Sequence, residues 1–390
     1  MRYGILIGLI VLGIITFTAT VLTTAEPRVH WVMVAVNLIF FLGITQGGVI
    51  FSIMFRVSKS RWGRNYMRLG EIITLSFIPV AVILFLAVGI GGVDYLFYWA
   101  HPEAAGGAHE LSAWLDKTFF YWRIVIVNTL FYIVAYIYFR LGRAEERAMN
   151  ASQEDLGADL PGVSRGLEKA VNVFAGLTGI TFVLANTNIA WDFGMMIWKH
   201  WESSIFPPFY WVGNAFAGGA FLFLMSFFFL ERKPGVDVAA GNKEGISKTM
   251  ISFALLWIYM FWSQYMVMWY TNVPHRAEPV IRQMNGEYRP VFIFMMLTLF
   301  VIPFLALIFR RMMVSTSALG VVAVLVCTGL WVNRYLMVSS AFGEIPVIGG
   351  GIGVTTTLAV GAATILSIAL FRKLFPYITF KTSFPPSAGH

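Results

Sequence analysis

Charged and hydroxyl-bearing side chains stand inside stretches that are otherwise apolar. Thr181, Asn188 and Asp192 fall at offsets 0, 7 and 11, which places them on one helix face. A carboxylate in hydrocarbon is costly unless it is partnered or hydrated. Asp192 therefore reads either as a proton-carrying acid or as half of a structural ion pair with Arg123 (in FFYWRIVIVN) or Arg334 (in LWVNRYLMV). Glu71, three residues after Arg68, is either interfacial or the mouth of an inner half-channel with Thr74 and Ser76. Ser252, Tyr259, Ser263 and Tyr270 lie at offsets 0, 7, 11 and 18, a one-face row about 27 Å long at 1.5 Å per residue. Hydroxyls with interleaved water relay protons, but hydroxyl stripes also mark ordinary helix contacts. Gln264, beside the row, suits either use.

The histidines argue against electron transfer across a membrane through this chain. His30, His101, His109, His200 and His275 fall at or beyond one set of helix ends, and His390 is in the tail. None sits at mid-span, where a pair of haem ligands would be needed. The single cysteine, Cys327, rules out an internal disulfide, and there is no CxxC, CxxCH or iron–sulfur spacing. No cofactor is expected to be bound by this chain alone.

The elements that must position these groups are membrane helices. Of 390 residues, 58% are hydrophobic and only 12% charged, against about 25% charged in soluble domains. Ten apolar runs are long enough to span: 4–24, 31–55, 69–92, 118–140, 169–197, 207–230, 247–271, 288–309, 314–337 and 348–371. The first is longer than the apolar core of a signal peptide and reads as a retained helix. Of the 28 Lys and Arg, twenty fall on one side of this arrangement and six on the other, with Arg123 and Arg334 inside spans. By the positive-inside rule both termini are cytoplasmic. The net charge of +8 thus reflects cationic loops and not a nucleic-acid surface. The stretch RAEERAMNASQEDLGADLPG reads as a solvated connector.

Gly47-Gly48 in the second run and Gly218-Gly219 in the sixth are 171 residues apart, and the histidines after the third and seventh runs (His101, His275) are 174 apart. This faint repeat suggests two parallel four-helix bundles, over 29–197 and 207–337, flanked by a first helix in 1–28 and a last helix with its tail in 348–390. The glycine pairs are expected to permit close helix approach, and Pro79 and Pro303 to kink their spans.

Two segments resemble a known family. DFGMMIWKHWESSIFPP is similar to a diverged D-W-x-M-S-L-x-P-H-W-x-S-T-I-F segment, and WSQYMVMWYTNVPHR to F-x-Q-F-x-L-I-W-Y-A-N-x-P-E-E. Both belong to NrfD-like proteins, the polysulfide reductase membrane subunit type, as found in bacterial alternative complex III. The matching residues are Asp192, His200, Trp201, Ser204, Gln264, Trp269, Tyr270, Asn272 and Pro274. The quinol-oxidising member, ActC, typically carries G-H-A-G-T in the second span, where this chain has Ile44-Thr45-Gln46-Gly47-Gly48. That difference, with the short lead into the first span, favours the ActF type. Pro274-His275-Arg276 replaces the P-E-E acids, so a proton exit through them does not carry over.

The resemblance implies an all-α, ten-helix subunit of a quinol:cytochrome c or cupredoxin oxidoreductase in a respiratory or photosynthetic electron transport chain. It would sit in the bacterial cytoplasmic membrane. Implied partners are a multihaem cytochrome c, an iron–sulfur subunit resembling molybdopterin enzymes, the related ActC subunit, a monohaem cytochrome c and small membrane subunits. Haem c and iron–sulfur clusters would reside in those partners. The chain itself would scaffold, with a proton path from Glu71 through the row from Ser252 to Tyr270 to Asp192. A second reading is a pocket for quinone or menaquinol near Arg123, Trp191, Asp192 and His200. A third is a secondary transporter, for which repeats and buried charges are also expected.

Overall fold

In the computed structural model the described residues are 3–24, 27–59, 63–101, 112–154, 164–199, 201–229, 240–271, 273–343 and 350–375. They are all-helical, with no strand. Ten helices are long and apolar enough to cross a membrane: Tyr3–Thr23, Arg28–Val57, Tyr66–Leu96, Lys117–Ala148, Arg165–Met195, Phe206–Phe229, Asn242–Thr271, Gly286–Ile308, Thr316–Phe342 and Gly350–Leu374, spans 1 to 10. Each coincides with one of the ten expected runs. An eleventh helix, Pro274–Met284, lies between spans 7 and 8. Of its two prolines, Pro274 occupies the first turn, where a missing N–H costs nothing, and Pro279 lies inside the helix.

Span 4 runs further than its apolar pattern. The helix continues from Lys117 to Glu154, into the stretch expected to be a solvated connector, whose last residues lie outside the described ones. Two acids in it are not solvated: Glu145 and Glu146 are buried. They pair with Arg56 and Arg68 and so pin this extension of the helix to spans 2 and 3.

Span 2 is the axis of the molecule. It is apolar nearly all round, which suits a buried helix, and 83% of its apolar window is enclosed, against 6% for span 1. Span 2 packs on spans 3, 5, 6, 9 and 10, whereas span 1 packs chiefly on span 10. The glycines set the closest approaches. A methyl added to Gly47 would lie 2.4 Å from the Asn214 carbonyl oxygen, and one added to Gly218 would lie 2.7 Å from the Gly47 Cα. On the next face, a methyl on Gly70 would lie 2.3 Å from the Gly48 carbonyl oxygen. Gly47 and Gly218, the repeat-related pair, thus meet each other where spans 2 and 6 cross.

Both mid-span prolines interrupt their helices. Span 3 breaks at Phe77, with Pro79 in the first turn of Ile78–Ala87, and then widens into a π turn at Val88–Gly92. Span 8 has a π turn at Leu297–Val301 immediately before Pro303. Proline displaces the carbonyl four residues back; for Pro303 that is Leu299, inside the wider turn that absorbs the displacement, whereas for Pro79 it is Leu75, just before the break at Phe77.

Candidate functional site

Span 5 ends in a π turn, Trp191–Met195, that carries Asp192. Such turns re-aim a side chain without ending the helix. Here the side chain meets Arg123: Nη2 to Oδ1 is 2.5 Å and Nε to Oδ1 is 3.0 Å. Arg123 Nη1 donates to the Trp114 carbonyl, and the guanidinium lies 4.4 Å from the Trp114 ring centroid. Trp191 packs edge-on against Trp114. Asp192 is 0% exposed. Of the two arginines considered for it, Arg123 is the partner and Arg334 is not. Arg123, Trp191 and Asp192, the residues expected to line a quinone pocket, are engaged here with one another and with Trp114 through ion pair, carbonyl and indole contacts. His200, the fourth residue of that expectation, lies outside the described residues.

At the cationic-loop end, Glu71 is buried within the protein. Ser52 Oγ donates to Glu71 Oε1 at 2.6 Å, and the Tyr138 hydroxyl lies 3.0 Å from Ser52 Oγ. An ionised carboxylate only accepts, so Ser52 gives its hydrogen to Glu71 and Tyr138 gives its own to Ser52. A proton taken up by Glu71 would allow the two hydroxyls to reverse, as a relay requires. Arg68 bridges Glu71 and Glu146, with 2.6 Å from Nε to Glu146. Arg56 forks onto Glu145 at 2.8 and 2.9 Å and donates to Asn172 Oδ1 at 2.9 Å. Thr74 donates to the Thr45 carbonyl and so ties span 3 to span 2. Ser76 bonds its own helix at Ile73.

A third cluster joins the two bundles. Arg334 is 0% exposed, and its partners are all neutral: Tyr210 O at 2.9 Å, Asn214 Oδ1 at 2.8 Å and Asn333 Oδ1 at 3.0 Å. Its guanidinium carbon is 3.9 Å from the Tyr210 ring centroid. Arginine has no acceptor, so every amide beyond it has a forced orientation. Asn214 turns its oxygen to Arg334 and donates to Asn186 Oδ1 at 2.8 Å; Asn186 donates to Gln46 Oε1 at 2.8 Å. The chain ends on Gln46 Nε2, a buried donor without a bond of good geometry, beside the Tyr132 hydroxyl. Amide nitrogens cannot accept a proton in passing, so this chain orients dipoles and does not conduct. Tyr132 and Asn128 line an apolar cleft of about 560 Å³ between spans 3 and 4, but the Tyr132 hydroxyl and Asn128 Oδ1 are themselves enclosed behind its wall, the hydroxyl beside Gln46.

The row on span 7 is corrected most plainly. Tyr259 is 65% and Tyr270 84% exposed on the outward face. Ser252 and Ser263 donate to carbonyls of their own helix, Lys248 and Tyr259. Within this chain the row lines no interior and reaches neither Glu71 nor Asp192. The buried face of the helix carries Ala254, Trp257 and Gln264 instead. Gln264 borders a void of about 30 Å³ with Trp201, Gln283 and Asn333. Trp269 is exposed, Pro274 begins the surface helix, and Asn272 lies outside the described residues.

Sequence reasoning missed Glu145, Glu146, Asn186 and Asn214. The two asparagines had a readable signal, since an amide inside an apolar span is costly without a partner. A protein-family model described as "Polysulphide reductase, NrfD" matches residues 21–345. No curated protein matches the chain.

Proposed function

The chain belongs to the NrfD (polysulphide reductase) family, membrane subunits of quinone-interacting oxidoreductase complexes that pair with iron–sulfur or molybdopterin-type subunits, and from that premise we propose that it is the ActF-type subunit of a bacterial alternative complex III. It binds no redox centre of its own and scaffolds the quinol:cytochrome c or cupredoxin oxidoreductase. It sits in the cytoplasmic membrane with both termini inside. Haem and iron–sulfur centres belong to its partners, including a related ActC-type subunit.

Proton handling in this reading belongs to spans 2–5. The observation that carries it is the oriented chain Tyr138–Ser52–Glu71, a buried acid joined to hydroxyls that can reverse. Further along the same spans stands Asp192, beside Asn188. Water would have to bridge the gap between them. No redox centre crosses here, so coupling to electron transfer would act through conformation or hydrogen bonding. The test is the proton-to-electron stoichiometry of the assembled complex carrying Glu71→Gln or Asp192→Asn. A lowered ratio at normal assembly is expected, and an unchanged ratio in both removes the proton role. Co-purification with c-haem absorbance and iron–sulfur signals tests the assembly itself.

One observation supports a second reading, quinone binding at a different place from the one expected. The cleft between spans 3 and 4 is apolar, and the Tyr132 hydroxyl and Asn128 Oδ1 lie enclosed just behind its wall, where a turn of the lining side chains would bring them to a quinone carbonyl. Quinone recovered with the wild-type subunit but lost with Tyr132→Phe would favour it.

A further inference from the structure

We propose that Gly142 is the positioning residue for Glu71: its bare backbone admits the end of the Arg68 side chain between spans 3 and 4 and so holds a cation against the acid. Gly142 stands inside the helix Lys117–Glu154, where glycine is the poorest helix former after proline and calls for a local reason. The reason is one contact. A methyl added to Gly142 would lie 2.4 Å from both Nη1 and Nη2 of Arg68 and 2.8 Å from Cζ. Equidistant from the two terminal nitrogens and farther from the carbon, it would stand across the outer edge of the guanidinium fork and not over its flat face. The fork therefore points end-on at the span 4 backbone.

Span 4 is shaped for this contact. Tyr138, Gly142 and Glu146 recur every four residues on one helix face, and they read as hydroxyl, gap and acid. Tyr138 meets Ser52, Glu146 accepts from Arg68 Nε at 2.6 Å, and the gap between them receives the fork. Nη1, on the edge beside Gly142, is the nitrogen that pairs with Glu71. Nε, at the base of the fork, is the one that pairs with Glu146. A push at Gly142 thus falls on Glu71 first. Among the described residues, the other charged and titratable groups around Glu71 are Arg56 and Glu145, paired with each other, Glu146, and Tyr138 through Ser52. Arg143 lies against Phe139 and Phe375. With the guanidinium withdrawn, Glu71 keeps the Ser52 bond but loses its nearest cation, and a carboxylate without its cation takes a proton more readily. This inference rests on the reading of Glu71 as a proton-handling acid; Gly142 acts only through Arg68.

The test is the pH-induced infrared difference spectrum of the intact assembly, in which the protonated-carboxyl band of Glu71 is the one lost with Glu71→Gln. The three atoms nearest the added methyl all belong to the end of a flexible side chain, so Gly142→Ala should assemble with the fork displaced. Its Glu71 band should appear about one pH unit higher than in the wild type, an increase of about tenfold in proton affinity. An unmoved band overturns the proposal. Gly176→Ala on span 5, where an added methyl meets nothing within 4 Å, should leave the band in place, and an equal shift there overturns it. Arg68→Lys keeps a cation but lacks the outer edge of the fork, so adding Gly142→Ala to it should move the band no further. A further shift as large as in the wild type overturns the route through Arg68. If Gly142→Ala alone does not assemble, assembly of Gly142→Ala/Arg68→Lys at the level of Arg68→Lys supports the contact, and its failure overturns it. The proton-to-electron ratio is read separately: a ratio unchanged in Glu71→Gln removes the proton role of Glu71 and leaves the band test standing.

Discussion

The two halves of the molecule treat buried charge in opposite ways. Among the described residues, every buried carboxylate belongs to spans 3, 4 or 5: Glu71, Glu145, Glu146 and Asp192, each against an arginine. Spans 6–9 hold Arg334, enclosed by amides, a carbonyl and a tyrosine ring. A buried ion pair roughly offsets its own desolvation, and its acid can change charge. A guanidinium cannot be deprotonated under ordinary conditions, so Arg334 contributes a fixed field. The first half therefore holds the groups whose charge can change, and the second half holds one whose charge stays fixed.

The sharpest way to break this comparison is Arg123→Met. It leaves Asp192 buried and unpaired, a loss of about 3–5 kcal/mol in pairs of this kind. The thermal midpoint of the detergent-solubilised protein should fall steeply, and the double variant R123M/D192L should recover most of the loss. A double variant no better than the single one would mean that Arg123 acts mainly through Trp114 and not through the carboxylate.

Arg334→Met comes next and should cost less. No carboxylate is stranded, and the expense of burying a cation is relieved. Three acceptors lose a donor, at about 1–3 kcal/mol for each that stays unsatisfied, but Asn214 and Asn333 are free to turn and find others. If Arg334→Met destabilises as much as Arg123→Met in the same assay, the contrast between halves fails, and the amide chain is as rigidly needed as an ion pair.

Much of this arrangement was legible in the sequence. Ten spans follow from apolar run lengths, because the hydrocarbon thickness sets a length that loops rarely imitate. The glycine pairs were legible for a related reason: a residue without a side chain inside a span most often marks a backbone contact. Glu145 and Glu146 were not legible. In RAEER their composition is that of a solvated helix end, and only the fold brings Arg56 and Arg68, about 80 to 90 residues earlier, alongside them. The Asp192 partner was narrowed to two arginines, and the choice rested on which span lies beside span 5. Spans 4 and 5 pack along their length, which local sequence does not encode.

Span 7 gives the last and smallest prediction. Periodicity shows that Ser252, Tyr259, Ser263 and Tyr270 share a face, but a helix has the same period whichever way that face turns. In water a polar face turns outward and the ambiguity disappears. In a bilayer the serine hydroxyls bond their own carbonyls, and the tyrosines present rings outward, so an outward hydroxyl row is tolerated. Replacing Tyr259 with Phe and Ser263 with Ala should then change stability by less than about 0.5 kcal/mol, the range for surface positions. The proton-to-electron ratio should be unchanged. A lowered ratio in this double variant, with Glu71→Gln silent, would mean that a partner subunit closes over span 7 and makes the outward row a path. Proton handling would then lie at an interface on the second half, and the division of labour drawn from buried charge would be reversed.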